Sequence, residues 1–220
     1  MKRSEINRYI DFANDFFKQH AFMLPAWACL TPTQWKTKGP EYDEIRLSGM
    51  GWDITDFGKG DFEKEGLTLF TIRNGYPRRI PYKSYCEKIM IVGDRQITPT
   101  HFHWQKMEDI IHRGGGDFYM QLWKGDPQTE EITDLSFTVK IDGVEHPFNA
   151  GNIVRLQPGE SICFEPYIYH MFWAEGGPAL VGEVSTVNDD ANDNRFYESL
   201  GRFPEIIEDE PARYCLCNEY

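Results

Sequence analysis

From Leu67 onward, the chain consists of short β-forming segments separated by glycine and proline turns. Asp142-Gly143 is a strong hairpin signal, and Pro158-Gly159 marks another turn. Many short strands joined in this way are typical of an antiparallel sandwich or barrel. The predicted strands cover residues 67–73, 85–92, 99–104, 109–112, 118–123, 136–141, 153–156, 161–164, 170–174 and 179–187. We therefore predict a mainly β fold, closed as an antiparallel β-barrel.

The N-terminal part of the chain has helical periodicity instead. Between residues 4 and 20, apolar side chains recur at helical spacing with charges between them. This pattern predicts an amphipathic helix with Ser4 as its N-cap. Residues 31–35 favour a second, short helical turn, whereas 39–66 is expected to be irregular with one strand near 52–55.

These patterns predict three consecutive parts of one domain. Residues 1–66 form an N-terminal helical and irregular extension that packs on the barrel, and residues 67–190 form the barrel itself. Residues 191–220 form a C-terminal segment that completes the same domain, with a helix near 195–200. The apolar stripe of the first helix needs a cover, which either its own barrel or a second subunit could provide.

Composition excludes several classes of partner. The formal net charge is −12, and an acidic surface argues against binding to nucleic acids and to anionic membranes. The N-terminus lacks the pattern of a signal peptide, and no apolar run approaches the length of a membrane span. The five cysteines are odd in number and scattered, which argues against a disulfide framework. We expect a cytoplasmic protein with reduced thiols.

The run His101-Phe102-His103 carries the strongest chemical signal. On a strand, residues two apart point to the same side, so both imidazoles face one point. Glu108 can return to that point across a turn, and His170 can reach it from a distant strand. Three nitrogens and one oxygen suit a divalent Mn, Fe, Co, Ni or Zn ion. Two other histidines compete less well with His170 for the third position: His112 and His146.

The spacing of these residues resembles the cupin superfamily. Its first motif is a glycine, His-x-His, a glutamate and a second glycine, which correspond here to Gly93, the histidine pair, Glu108 and Gly115. The second motif is matched more loosely by Gly151, Pro158-Gly159 and His170, because the distance to the histidine is longer and the final asparagine is absent. The resemblance implies a jelly-roll-like barrel with a metal inside.

Residues 100–108 also resemble the D-lyxose ketol-isomerase family of cupins, as do 114–116, the region around 158–170, and 182–190. The resemblance implies a metal-dependent aldose–ketose isomerase that interconverts D-lyxose and D-xylulose, and D-mannose and D-fructose, through an enediolate. It also implies manganese as the metal, with iron, cobalt, nickel or zinc as alternatives. Barrel pairing within the superfamily implies a homodimer.

Two residues are candidates for the proton chemistry. Lys106 lies in the turn between the ligand-bearing strands, and the resemblance places a functional lysine there that stabilises developing negative charge. Glu183 lies between apolar neighbours, where burial is costly unless the carboxylate faces a polar cavity, so we predict that it is the base. Gln105, which shares strand parity with the histidine pair, and the more distant Asp190 and Arg195 are expected to contact substrate hydroxyls.

Two other functions remain open at this stage. The same ligands would serve an iron-dependent cupin dioxygenase, which needs molecular oxygen and a redox-active metal. A metal-stabilised sugar-binding module without catalysis is the other alternative. It predicts ligand binding without proton exchange, and no loss of function when Lys106 or Glu183 is replaced.

Overall fold

The chain forms an antiparallel β structure with a helical N-terminus, which confirms the predicted fold class. The computed structural model describes residues 1–76 and 83–220. The helices are α1 (Arg3–Gln19), α2 (Pro32–Trp35) and α3 (Asp43–Leu47), with two 3₁₀ turns at Ala26–Cys29 and Pro40–Tyr42. The strands are β1 (Gly51–Thr55), β2 (Leu67–Arg73), β3 (Tyr85–Val92), β4 (Ile97–Phe102), β5 (Glu108–Lys124), β6 (Phe137–Ile141), β7 (Val144–Phe148), β8 (Asn152–Leu156), β9 (Ser161–Phe164), β10 (Ile168–Thr186) and β11 (Arg195–Phe196).

Two long strands organise the barrel. Segments 109–112 and 118–123 merge into β5, and segments 170–174 and 179–187 merge into β10, so each pair of predicted strands is one strand. The two pair with each other along most of their length. Both bend at glycines near their middle, where Gly115 has a φ of +89° and an added Cβ would lie 2.4 Å from the carbonyl oxygen of Pro178. Glycine is therefore required at this bend.

The bends make β5 and β10 members of two facing layers. One layer has the order β1-β2-β3-β10-β5-β9-β6-β7 and uses the second half of β10 and the first half of β5. The other joins β11, β4, the first half of β10, the second half of β5 and β8. The space between them is filled by an apolar core: Phe118, Met120, Leu122, Ile162, Phe164, Phe172 and Val181. Strands β5, β9 and β10 therefore send side chains into one shared interior.

Helix α1 covers the outer face of the first layer within the same chain. Its buried residues Ile6, Ile10 and Phe17 pack in one cluster with Trp52 and Phe70 of the sheet. The apolar stripe predicted from the sequence is thus covered in cis. None of the described helices is long and apolar enough to cross a membrane.

The N-terminus of α1 binds the C-terminal segment. The predicted N-cap is wrong, because Lys2 occupies that position and its N–H donates to the Glu5 carboxylate. Ser4 instead donates its hydroxyl to Asp209 at 2.7 Å. The buried guanidinium of Arg3 pairs with carboxylates of the same segment: Glu208 at 2.6 Å and Glu219 at 2.5 Å. The last residues of the chain are therefore anchored on its first helix.

The helix predicted near 195–200 is wrong. Arg195–Phe196 forms β11 and pairs with β4, which places Phe196 opposite His101. Phe196 and Leu200 have helical spacing, but burial of the Phe196 ring against the core and pairing with β4 outweigh that local preference. The division of the chain at residues 66 and 190 stays a prediction, although β1 and β11 lie outside 67–190 and pair with barrel strands.

Candidate metal centre and active site

Three imidazoles converge between the two layers of the barrel. His101 of β4 lies opposite His170 of β10 in the strand register, so these side chains are neighbours on one face. His103 follows directly after the end of β4. One ring nitrogen from each of the three lies within 4.8 Å of the others, and all three residues are buried. This group could hold a metal ion, and neither His112 nor His146 belongs to it.

The second nitrogen of each ring is held by the backbone. The Nδ1 atoms of His101 and His170 donate to the carbonyl two residues earlier in their own strands, at 2.7 and 3.0 Å. The Nδ1 of His103 donates to the carbonyl of Asp193 at 2.5 Å. A carbonyl can only accept, so the proton lies on Nδ1 and the Nε2 lone pair faces the centre. This is the tautomer that a metal ligand requires.

Glu108, the first residue of β5, faces the same centre. Its Oε1 lies 3.4 Å from Nε2 of His103 and 3.2 Å from Nε2 of His170. These three atoms are buried and lack a hydrogen-bond partner among the residues that the structure describes. Buried polar atoms are rarely left unsatisfied, and a divalent cation would satisfy all three. The residues present therefore fit a metal.

Electrostatics keeps these donors in their metal-binding forms. Burial and the neighbouring imidazoles of His170 and His103 hold the pKa of His101 well below its usual value, so the ring is neutral. Burial would raise the pKa of Glu108, but the Lys106 ammonium together with the neighbouring His103 and His170 rings outweighs burial and holds this pKa well below its usual range. A neutral His101 ring beside the ionised Glu108 carboxylate suits a first-row divalent ion.

Lys106 connects the carboxylate of this group to a second buried carboxylate. It is 3% exposed, so it is not a solvent-facing turn lysine. Its Nζ lies 2.8 Å from Oε2 of Glu108 and 2.9 Å from Oε1 of Glu183. Burial would raise the pKa of Glu183, but the charges of Lys106 and Lys88 lower it below its usual value. Glu183 is therefore a buried carboxylate next to the metal group.

Lys88 is a site residue that the sequence reasoning missed. It lies directly opposite Glu183 in the pairing of β3 with β10, with its Nζ 3.3 Å from the Glu183 carboxylate. It also donates to Asn188 at 2.7 Å and lies 3.5 Å from Asp190. The sequence pattern that identified Glu183 also applies to Lys88, because Lys88 is an ionisable residue inside an apolar strand segment.

Arg202 is a second missed residue, and it accompanies Asp190. Its Nη2 donates to Asp53 at 2.6 Å and to Asp190 at 3.1 Å. Its Nη1 is buried and has no hydrogen-bond partner within the described part of the chain. Burial would raise the pKa of Asp190, but Arg202 and Lys88 together hold it well below its usual range. No local pattern marks Arg202, because it lies in the irregular C-terminal segment.

These groups line one small cavity of about 40 Å³. About 10–15 Å³ is enough for one water, so the cavity has room for an ion and a few waters. Besides the three histidines, its lining carries three carboxylates and three cations: Glu108, Glu183, Asp190, Lys88, Lys106 and Arg202. The six lining charges balance one another, so a divalent ion would add positive charge to the cavity.

The two remaining predicted contacts lie elsewhere. Strand β4 ends at Phe102, so Gln105 does not follow the strand parity of the histidine pair, and its side chain is exposed. Arg195 is directed to the carboxylate of Glu130 at 3.2 Å and is not among the residues that line the cavity. The expectation that Gln105 faces inward is therefore wrong, and Arg195 faces a different partner.

The whole chain, residues 1–220, matches the D-lyxose isomerase family. The D-lyxose/D-mannose isomerase of Escherichia coli O157:H7 is 50% identical over 224 aligned residues, which cover 100% of this chain and 98% of that protein. The D-lyxose/D-mannose isomerase of Serratia proteamaculans is 47% identical over the same coverage.

Solved structures resemble the fold. The L-ribose isomerase of Cellulomonas parahominis superposes with a TM-score of 0.63 and 18% identity, covering 94% of this chain and 98% of that chain. At this identity the likeness shows the architecture alone, and it agrees with a cupin-type barrel. The family match and the relatives at 50% and 47% identity carry the assignment. The chain belongs to the D-lyxose isomerase family and is an aldose–ketose isomerase.

Proposed function

We propose that the protein interconverts D-lyxose and D-xylulose, and D-mannose and D-fructose, in a metal-dependent reaction that passes through an enediolate. The observation that carries this proposal is the buried Glu183 carboxylate, held by Lys106 beside the histidine group. The names of the two relatives, both D-lyxose/D-mannose isomerases, support the choice of sugars.

His101, His103, Glu108 and His170 would hold the metal, for which we propose a divalent ion, manganese in the first instance. Iron, cobalt, nickel and zinc suit the same donor set. When bound, the ion supplies Lewis-acid polarisation of the sugar carbonyl and stabilises charge on its oxygen. The buried, unpartnered Nε2 and Oε1 atoms described above support this ligand set.

Glu183 is proposed as the base that moves the proton between C2 and C1. It is buried and adjacent to the metal group, and its carboxylate is ionised, so it can accept a proton from a sugar carbon held there. Lys106 is proposed to contact the sugar oxygen on which negative charge develops, because its ammonium already joins Glu183 to Glu108. A cation fixed at that point stabilises the enediolate more than the neutral sugar.

The far side of the cavity is proposed to bind the sugar hydroxyls. Asp190 lines this side, and the unpartnered Nη1 of Arg202 is a buried donor that a hydroxyl oxygen could accept from. Charge-assisted hydrogen bonds of this kind are strong and directional. The small cavity means that a sugar would displace its waters and shift some of the lining side chains.

We also propose that the enzyme is a cytoplasmic homodimer. All five cysteines are unpaired thiols, as expected for a reducing compartment. Large apolar side chains are exposed on β7 and on β8, with Val144 at 61% and Ile153 at 57%. A second copy could cover such side chains, and sedimentation equilibrium would measure the stoichiometry.

The decisive experiment uses metal-stripped protein reloaded with Mn²⁺ and supplied with D-lyxose or D-mannose in D₂O without oxygen. We expect D-xylulose or D-fructose, with deuterium incorporated at C1 or C2 because Glu183 exchanges its proton with solvent. Absence of any ketose would contradict the proposed substrates, and a requirement for oxygen would favour the dioxygenase alternative. Ketose that forms without deuterium uptake would remove the role of Glu183 as a base.

A further inference from the structure

The imidazole of His103 depends on a remote part of the chain, unlike those of His101 and His170. Those two rings are oriented by carbonyls of their own strands. The carbonyl that accepts from His103 belongs to Asp193, which is 90 residues away in the sequence. A complete set of correctly oriented nitrogens therefore requires that the segment around Asp193 is in place.

The side chain of Asp193 binds the turn that directly follows His103. Its Oδ1 accepts from the backbone N–H of Gln105 at 2.9 Å, and its Oδ2 accepts from the backbone N–H of Lys106 at 2.8 Å. Among the described strands, none pairs with these two amides in the turn between β4 and β5. Since charge-assisted bonds to backbone amides are strong, this one carboxylate holds the backbone that connects His103 to Glu108.

Asp193 is itself held in a compact turn and buried. Its N–H donates to the carbonyl of Asp189 at 2.8 Å, and its residue exposure is 8%. It does not line the cavity, although its neighbours Asp190 and Asn194 do. Asp193 can therefore influence a substrate or an ion only through the residues that it positions.

We propose that Asp193 is a positioning residue that makes metal binding and the order of residues 189–196 interdependent. Its carbonyl sets the His103 tautomer, and its carboxylate holds the turn that carries Lys106. Because coupling between two sites is reciprocal, a metal that fixes His103 also stabilises the segment that accepts from it. The inference rests on the metal centre proposed above, but not on the identity of the sugar.

The first test is the affinity of the metal-stripped protein for Mn²⁺, measured by titration calorimetry without substrate. Asp193→Ala keeps the backbone carbonyl that accepts from His103 but removes the carboxylate that holds the turn, and it is expected to weaken binding by roughly 10–100-fold, the usual cost of losing an outer support of the metal ligands. Asn192→Ala is the matched control, because Asn192 is exposed in the same turn and its amide donates only to Asp189 among the described side chains. We expect the control to bind Mn²⁺ as the unaltered protein does.

The second test is hydrogen exchange with and without Mn²⁺. In the unaltered protein, the ion is expected to slow exchange at the amides of Gln105 and Lys106 and across 189–196. Asp193→Asn keeps the backbone carbonyl but has a single side-chain oxygen to accept from the two amides. In this variant, the slowing of exchange by Mn²⁺ is expected to be smaller. Asp193→Asn also serves if Asp193→Ala does not fold.

Equal Mn²⁺ affinity of the folded Asp193 variants and the unaltered protein would overturn the inference. So would metal-independent exchange of 189–196. If the unaltered protein binds no metal, both the metal centre and this inference are wrong. If metal binding responds as expected but no sugar is isomerised, the inference stands and the proposed substrates fail.

Discussion

The Nζ of Lys106 lies 2.9 Å from Oε1 of Glu183, inside the barrel and shielded from solvent. The lysine reaches this point from the turn after β4, and the glutamate reaches it from the second half of β10. The same ammonium also contacts Glu108 of the proposed metal centre. This ion pair links the proposed base to the proposed metal ligands, so replacement of Lys106 is expected to affect both.

Glu183→Gln is expected to abolish isomerisation while the metal stays bound. The amide cannot accept the carbon-bound proton, and loss of a general base typically lowers kcat by about 10²–10⁴-fold. Steady-state ketose formation and metal content by atomic emission are the measurements. Glu175→Gln, on an exposed position of the same strand, is the control and should keep full activity. Equal activity of the two variants would contradict the assignment.

Lys106→Met is expected to lower the free energy of unfolding by roughly 3–5 kcal/mol, because it leaves two buried carboxylates without their shared cation. Denaturant unfolding gives this value. The double variant with Glu183→Gln should recover part of it, since one of the uncompensated charges is then absent. Strictly additive effects of the two changes would show that the ion pair contributes no coupling.

Removal of a histidine from the converging group is expected to remove the metal. His170→Ala should lower metal content and abolish the rise in Tm that Mn²⁺ produces in the unaltered protein, because binding to the folded state alone stabilises it. His146→Ala is the control, since His146 is exposed on β7. A His170→Ala protein with unchanged metal content would place the ion elsewhere.

Asp190→Asn is expected to destabilise the protein at neutral pH and much less in acid. Arg202 and Lys88 outweigh burial and hold the pKa of Asp190 well below its ordinary value of 3.8. Because folding lowers this pKa, its stabilisation is fully present above pH 3.8 and is lost as the pH falls through the folded value. The expected loss at pH 7 is about 2 kcal/mol, as for a hydrogen bond to a charged group.

The measurement is denaturant unfolding of both proteins from pH 7 down to the acid limit of folding. The two free energies of unfolding should converge as the pH falls. Asp189→Asn provides a neighbouring control, because the Asp189 carboxylate accepts from exposed Asn192 instead of the buried cations. A difference that is independent of pH would show that the charge of Asp190 is not the cause.

Arg3→Ala is expected to loosen the C-terminal segment that carries Arg202 and Asp193. It removes a buried guanidinium from Glu208 and Glu219, and we expect a loss of about 2 kcal/mol in the free energy of unfolding. Arg8→Ala is the control, because Arg8 and its partner Glu63 are 67% and 76% exposed. Exposed pairs contribute about 0–1 kcal/mol. Thermal unfolding that ranks the two variants equally would contradict this anchoring role.

Local periodicity was sufficient for the class of fold and for most of the strand positions. Turn dipeptides and apolar spacing are properties of nearby residues, which is why the β6–β7 hairpin and the α1 helix follow from them. The spacing of His101 and His103 indicates that they converge, although His103 lies one residue beyond β4 and its ring is also held by the carbonyl of Asp193. The bend that merges two predicted strands into β5 depends on a contact with β10, and no local pattern contains it.

The rest of the candidate site depends on contacts between residues far apart in the chain. Lys88 faces Glu183 only because β3 and β10 pair in one register. Arg202 and Asp193 enter the interior from an irregular segment that is anchored on α1, and Gln105 is exposed because β4 ends three residues before it. Strand register and chain anchoring are set by packing of the whole molecule, since burial of distant partners outweighs local preference. The sequence therefore predicted the proposed metal ligands. The residues that neutralise their charges and hold them in position are decided by the packing of the folded chain.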